Sequence, residues 1–404
     1  GVDMYMVPHD ADTFTSTLIE LVEEGTVAQA RIDEAVSNIL TLKFELGLFE
    51  QPFVDAEAAD AAVIEAERSL AKQAALESLT LLEKGSLPIA EDAETVLVVG
   101  PSADSIENQM GGWTIAWQGV DNPDEVPPGS SVLEALEETA AEGMTINHLA
   151  DYQNSEAIQI AATEADVAVV VVGETPYAEG EGDSATLAFP EDQLELMRSV
   201  LETETPMIVV LIAGRPLIFP EDIWLGLDGL IMAYLPGSEG GTAIADVLFG
   251  RANPGGKLPF SWPKHTGQLP ITYDALPGVA YEPLYVFGEG LSYTQFLQHS
   301  MSATLNGDTV RVSIGLENTG DVSGSEAVQI YVSRPPAGIL TPVKQLVGFA
   351  KIALEPGEGQ TVEVDIPLSR LAIISGDVVA GEAQVVSGSY TFSIGQATAS
   401  LSLP

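Results

Sequence analysis

Val167-Ala168-Val169-Val170-Val171-Val172-Gly173 is an unbroken apolar run, closed by a glycine and followed at once by Glu174. A strand with one face in water alternates apolar and polar residues. A short run apolar on both faces implies a strand covered on both sides, as in parallel sheets flanked by helices. Comparable runs occur at Val96–Val99, Ile208–Ile212 and Leu230–Ala233, and a shorter one at Leu79-Thr80-Leu81-Leu82. Amphipathic stretches lie between them, at Val132–Ala141, Glu191–Leu201 and Thr242–Leu248. This alternation predicts an α/β domain with a mainly parallel sheet between helical layers. In open sheets of that kind, functional loops lie beyond the carboxyl ends of the strands. The segments after Val99 and after Val172 are therefore the places to look for chemistry.

On the N-terminal side, Val2–Val7 reads as a strand, followed by a helix from about Thr15. After Gly25 a second helix is expected, because Ile32, Val36, Ile39, Leu40 and Phe44 recur at helical spacing. Gly47 is placed to stop it. Gln51-Pro52-Phe53-Val54-Asp55 reads as a linker into an alanine-rich helix over Ala56–Glu77. From about residue 300 the pattern changes. Val310, Val312, Ile314 and Leu316 alternate with polar residues, as do Val328, Ile330 and Val332, then Val362, Val364 and Ile366, then Tyr390, Phe392 and Ile394. Turn signals such as Asn306-Gly307-Asp308 and Glu355-Pro356-Gly357 separate them, which predicts an antiparallel β-sandwich. The expected organisation is 1–50 as a leading segment, 51–60 as linker, 61–285 as the α/β domain, 286–299 as linker and 300–404 as the sandwich.

The 404 residues include 60 acidic and 15 basic side chains, a formal net charge of −45. Such a surface repels nucleic acid and anionic membranes, and the compact state should gain from screening salt. A protein from a saline setting and an acidic secreted protein both fit this charge. The apolar runs are too short to span a bilayer. Cysteine is absent, which removes disulfides, thiolate metal sites and a cysteine nucleophile. His9, His148, His265 and His299 are dispersed and make no metal-ligand spacing, so no metal site is expected.

Two loops carry chemistry. Gly111-Gly112-Trp113-Thr114-Ile115-Ala116-Trp117-Gln118-Gly119 offers flat aromatic faces on a glycine-rich turn. Gly173-Glu174-Thr175-Pro176-Tyr177-Ala178-Glu179-Gly180-Glu181-Gly182-Asp183 offers carboxylates at the end of a buried strand. Ring faces for stacking and acids to protonate a glycosidic oxygen are what sugar chemistry needs. Spacing alone favours reading Glu174, Glu179, Glu181 and Asp183 as solvated loop acids of a very acidic chain. Gly250-Arg251-Ala252-Asn253-Pro254-Gly255-Gly256-Lys257-Leu258 superficially suggests a phosphate loop. Its lysine is one place late, however, and Leu258 replaces the Ser or Thr.

These loops resemble the second domain of glycoside hydrolase family 3, in its exo-β-glucanase and β-glucosidase branch. Pro236-Gly237-Ser238-Glu239-Gly240-Gly241, Asn253-Pro254-Gly255-Gly256-Lys257-Leu258-Pro259 and Phe287-Gly288-Glu289-Gly290-Leu291-Ser292-Tyr293-Thr294 are similar to its long signatures. Glu317-Asn318-Thr319-Gly320 and Lys344-Gln345-Leu346-Val347-Gly348-Phe349 resemble the fibronectin type III-like domain that ends many members. The resemblance implies that residues 1–50 are the tail of an N-terminal (β/α)8 barrel. The family's Ser-Asp-Trp motif, which carries the nucleophilic Asp, occurs nowhere in this sequence.

By the same resemblance Glu179 is the acid/base, ranked ahead of Glu174 and then Glu181, and Trp113 is one wall of the slot for the second sugar. Glu174 is assigned to substrate binding. Trp117, Trp224 and Trp262 are expected to be packing residues. The implied activity is retaining hydrolysis of β-glucosides or β-glucan oligosaccharides from the non-reducing end, without metal or organic cofactor. The implied partner is a barrel polypeptide of the same enzyme, so the chain alone should be inactive. The implied location is extracellular or periplasmic. The competing expectation is a non-catalytic carbohydrate-binding or scaffolding protein.

Overall fold

The structure is a computed structural model that describes residues 1–58, 66–120, 122–376 and 381–404. It divides into two compact units, residues 1–68 and 69–404. In the first unit, α1 (Ala11–Glu23) and α2 (Gln29–Glu45) form the two expected helices, and Asp10 caps the start of α1 through the Thr13 N–H. Val2–Val7 is not a strand. A strand needs a ladder partner for its N–H and C=O groups, and the unit contains none among the described residues. The segment is instead tied to α2 by Arg31, which meets the Asp3 carboxylate at 2.6 Å, and by the Asn38 amide at 2.9 Å. No residue of α1 or α2 is buried; Ile19, Val36, Leu40, Leu42 and Phe44 all lie on the surface.

The second unit begins in α3 (Ala66–Ser78). Residues 59–65 of the expected alanine-rich helix, which include the end of the expected linker, lie outside the described residues. The α/β elements follow in order: β1 (Thr80–Glu83), β2 (Thr95–Val99), α4 (Ile106–Met110), α5 (Val132–Thr139), β3 (Thr145–Leu149), α6 (Ser155–Thr163), β4 (Val167–Gly173), α7 (Glu191–Leu201), β5 (Met207–Ile212), α8 (Glu221–Trp224), β6 (Gly229–Tyr234) and α9 (Gly240–Leu248). Six strands form one sheet in the order β1-β6-β5-β4-β2-β3. All neighbours are parallel except β1, which pairs antiparallel with β6 at the edge. The sheet is therefore mixed, with one antiparallel edge strand.

Every residue of β4 is buried, and the reason is the layering. Val167, Val169 and Val171 pack with Val132, Leu136, Ile244 and Leu248 of α5 and α9 on one face. Ala168, Val170 and Val172 pack with Ile158 of α6 and with Leu194, Met197 and Val200 of α7 on the other. Each buried valine contributes about 1.5–3 kcal/mol relative to an exposed one. One substitution to a charged residue in β4 would therefore disrupt both the packing and the register. β3, with Asn147 and His148, lacks an apolar run because it is the other edge strand and only half-buried.

Beyond residue 295 the chain forms a β-sandwich, with β7 (Phe296–Asn306), β8 (Thr309–Asn318), β9 (Gly324–Ser333), β10 (Gln345–Leu354), β11 (Gly359–Pro367), β12 (Ile373–Ser375), β13 (Glu382–Gln384), β14 (Gly388–Ile394) and β15 (Ala397–Leu403). Its two main sheets are β11-β8-β7 and β10-β9-β14-β15, and β12 and β13 pair as a separate two-stranded ribbon. The alternating residues named above meet in its core, with Val310, Ile314, Ile330 and Phe392 almost fully buried. Asn318, wholly buried, donates to the Val322 and Leu354 carbonyls and accepts from the Thr294 hydroxyl and the Gly320 N–H. The glycine-rich segment that superficially suggested a phosphate loop is a joint between the layers. Lys257 pairs with Glu326 of β9 at 3.0 Å and donates to the Gly290 carbonyl. Asn253 binds the Tyr293 N–H and the Ser323 carbonyl.

Candidate active site

Both candidate loops leave the carboxyl ends of central strands. β4 ends at Gly173, where a Cβ would stand 1.7 Å from the Ile212 carbonyl oxygen, so no side chain fits. The buried amide of Gln193 in α7 then satisfies both backbone groups of Gly173: its Oε1 accepts from the N–H at 2.9 Å and its Nε2 donates to the C=O at 2.8 Å. This closes the strand cleanly and turns the chain into Glu174. After β2, the short helix α4 ends at Gly111 and the chain makes tight turns through Gly119.

The two loops are locked together. A Cβ on Gly112 would lie 2.0 Å from the Tyr177 carbonyl oxygen, so only glycine permits that approach. The Ala178 N–H donates to the Gln118 side chain at 2.7 Å. Across this seam Trp117 Nε1 donates to Glu179 Oε2 at 3.0 Å, and the Trp113 and Trp117 rings lie 6.3 Å apart, tilted by 54°. Trp113, Ile115 and Glu179 have positive φ values of 93°, 66° and 48°. Left-handed backbone at non-glycine residues costs energy and clusters at functional constellations. Three of the six such residues among the described ones lie in the two candidate loops; the others are Leu187, Tyr234 and Ser300.

Glu179 is exposed and opens a single 3-10 turn, residues 179–182. Trp113 is 64% exposed and Trp117 is 52% exposed. Trp117 is thus no buried anchor, contrary to the expectation: its ring stands half in water with its N–H committed to a carboxylate. Trp262 is fully buried with its N–H on the Leu217 carbonyl, and Trp224 is half-buried against Tyr285, as packing residues would be. His9, His148, His265 and His299 form no metal-binding group among the described residues.

Glu174 lies in a different environment. It is half-buried and paired with Arg215, whose Nη2 reaches Oε1 at 2.7 Å and whose Nε reaches the two oxygens at 3.0 and 3.2 Å. Tyr177 donates its hydroxyl to Glu174 Oε2 at 3.0 Å. Arg215 also donates to the Gly182 carbonyl and covers the Tyr177 ring at 4.7 Å. Burial, and then the negative Glu174, push the Tyr177 phenol up to about 12. Glu174, Tyr177 and Arg215 therefore brace the acidic loop from inside. Arg215 was not anticipated. The available signal was its place directly after β5, at the carboxyl edge, in a chain with only 15 basic residues.

A surface hollow of about 670 Å³ opens beside these groups, lined by Trp117, Glu174, Tyr177, Glu181, Gln193 and Arg215 among others. Trp113 and Glu179 are not among its lining residues. Trp117, which pairs with one and bonds the other, connects both to it.

Comparison with known proteins agrees with this architecture. Residues 79–293 match the glycosyl hydrolase family 3 C-terminal domain, and residues 326–398 match a fibronectin type III-like domain. The chain belongs to glycosyl hydrolase family 3. Relatives of this family 3 chain include a lysosomal beta glucosidase of Dictyostelium discoideum, 36% identical over 93% of the chain and 50% of that protein. A periplasmic beta-glucosidase of Salmonella typhimurium is 35% identical over 92% of the chain and 54% of that protein. Among solved structures, an intestinal bacterial β-glucosidase involved in saponin metabolism superposes with a TM-score of 0.84 at 30% identity, covering 97% of this chain and 62% of that one. A mutant β-glucosidase from Listeria innocua in complex with laminaribiose gives 0.82 at 31% identity, over 95% of this chain and 56% of that one. The chain spans about half the length of the curated relatives named here.

Proposed function

We propose that the chain is the C-terminal part of a retaining, exo-acting β-glucosidase or β-glucan hydrolase, with Glu179 as acid/base and Trp113 as an aromatic wall for the sugar. The observation that carries this reading is the constellation at the carboxyl edge of the sheet: one exposed carboxylate, two exposed indoles beside it, and left-handed backbone at Trp113 and Glu179. A glycosidic oxygen is a poor leaving group until protonated, so a carboxyl group must face it. A pyranose ring presents apolar C–H faces that stack on indole while its hydroxyls remain solvated.

In this reading a nucleophilic Asp comes from a (β/α)8 barrel polypeptide of the same enzyme, about 5–5.5 Å from the Glu179 carboxyl, the separation that retention requires. Glu179 gives its proton to the departing oxygen and then takes one from the water that opens the glycosyl-enzyme. Glu174, which lines the hollow, contributes to substrate binding and, paired with Arg215, also braces the loop. Two observations support the barrel partner. The apolar residues of α1 and α2 are left on the surface, and the relatives are about twice as long as the matched region. The periplasmic and lysosomal relatives support an extracellular or periplasmic location.

The test is reconstitution. The chain alone should release no nitrophenol from its β-glucoside, and mixing with the barrel polypeptide should restore release. Turnover by the chain alone would refute the division of labour. In the assembled enzyme Glu179→Gln should lower kcat by about 10²–10⁴ for substrates with poor leaving groups. Unchanged kcat there would refute the acid/base assignment. Sugar binding that depends on Trp113, with no turnover in any mixture, would favour the non-catalytic carbohydrate-binding alternative.

A further inference from the structure

We infer that Trp117 is a positioning residue for Glu179, and that its indole N–H decides which carboxyl oxygen carries the proton. The inference rests on the reading of Glu179 as the proton donor and extends it to a second side chain from the other loop. An indole N–H is a donor only. It favours an ionised carboxylate oxygen or the carbonyl oxygen of a protonated carboxyl over the hydroxyl oxygen, which is a poor acceptor. Trp117 Nε1 lies 3.0 Å from Oε2, so Oε2 is held as the acceptor and the proton is directed to Oε1. The same bond suits both ionisation states, as a group that gives and retakes a proton requires.

Among the described residues, Trp117 is the one hydrogen-bond partner of the Glu179 side chain. Glu179 is exposed and flanked by Gly180, so without that bond its rotamers are free. Trp117 is itself held from two sides. Gln118, next in sequence, binds the Ala178 N–H, next to Glu179, at 2.7 Å, and the Trp113 ring lies against the Trp117 ring at 6.3 Å. One residue thus couples the stacking wall to the acid. The other charged groups of the neighbourhood have different positions or partners: Glu174 is paired with Arg215, while Glu181 and Asp183 are exposed.

The experiment uses the 404-residue chain labelled with 15N-tryptophan, which has four indole N–H signals. Trp117→Phe assigns one of them, and the three remaining signals report that the fold is kept. The Trp117 signal should move with pH through a single transition, because an ionised carboxylate is the stronger acceptor. Glu179→Gln should abolish that transition, and Glu181→Gln should leave it. A Trp117 signal that is flat with pH, or that moves equally in Glu179→Gln, overturns the inference. In the assembled enzyme Trp117→Phe keeps a ring and removes the donor. It should lower kcat by about tenfold or more on poor leaving groups, with KM changed far less. An equal loss in kcat on good and poor leaving groups would also overturn it. If the indole transition is absent while Glu179→Gln still abolishes turnover, this inference fails and the acid/base reading stands.

Discussion

Gly112→Ala tests whether the two loops act as one body. The added Cβ would stand 2.0 Å from the Tyr177 carbonyl oxygen and 2.5 Å from its carbon. Ordinary contact begins at 3.4 Å, so the loops must part by about 1.4 Å, the difference between 3.4 and 2.0. Both atoms at the contact belong to backbone, so no rotamer change relieves it. Overpacking of this kind costs about 1–3 kcal/mol. At about 2–4 °C per kcal/mol for a domain of 150–250 residues, the α/β domain should melt on the order of 2–12 °C lower. The displacement falls two residues before Glu179, so the 3.0 Å bond from Trp117 should stretch beyond hydrogen-bonding distance. Thermal unfolding followed by circular dichroism measures the first effect, and the Trp117 indole signal the second. Gly180→Ala is the control in the same loop, since nothing lies within 4 Å of its Cβ. It should be neutral or slightly stabilising through the unfolded chain. If Gly112→Ala melts with the parent chain and keeps its indole signal, the loops are not locked and the argument for a preassembled half-site is wrong.

Arg215→Ala should lower stability by about 2 kcal/mol in urea unfolding, because Glu174 keeps its charge in a half-buried place without its cation; Arg215→Lys should recover less than half, lacking the planar fork, and a neutral result for alanine would show that the brace is idle. The Tyr177 phenol is held protonated in the fold, up to about 12 from the ordinary 10.0, so its contribution is complete below pH 10 and fades as pH rises through 12. The stability advantage of the parent over Tyr177→Phe should therefore shrink across that window, and a difference constant from pH 8 to 12 would contradict the shift. The net charge of −45 predicts a melting temperature that climbs with KCl from about 0.1 to 1 M, as the screening length falls from about 10 to 3 Å; a flat or falling curve would show that self-repulsion does not limit this fold.

The fold was legible where burial on both faces or strict alternation wrote itself into the chain. The β4 run reads as a doubly covered strand, and the alternation from Val310 to Leu316 as a strand with one buried face, as both are. Legibility failed where an element's neighbours decide its state. β3 hides because an edge strand need not be apolar throughout. Val2–Val7 has a strand's residues, yet among the described residues of its unit no strand lies beside it to complete the ladder. The antiparallel pairing of β1 with β6 is likewise invisible to a pattern that carries no direction.

The amino-acid sequence alone carried the two domains, the strand ends from which the candidate loops depart, and the residue types that sugar chemistry would need. It could not separate four neighbouring acids from one another, because a carboxylate's role depends on what faces it rather than on its spacing. The tertiary structure distinguishes Glu174, which is half-buried, from the exposed Glu179. It turned Glu174 inward onto Arg215 and set Glu179 in solvent against the Trp117 N–H, 62 residues away. The physical reason is that hydrogen bonds and ring contacts act over a few ångströms between loops that only the parallel sheet brings side by side.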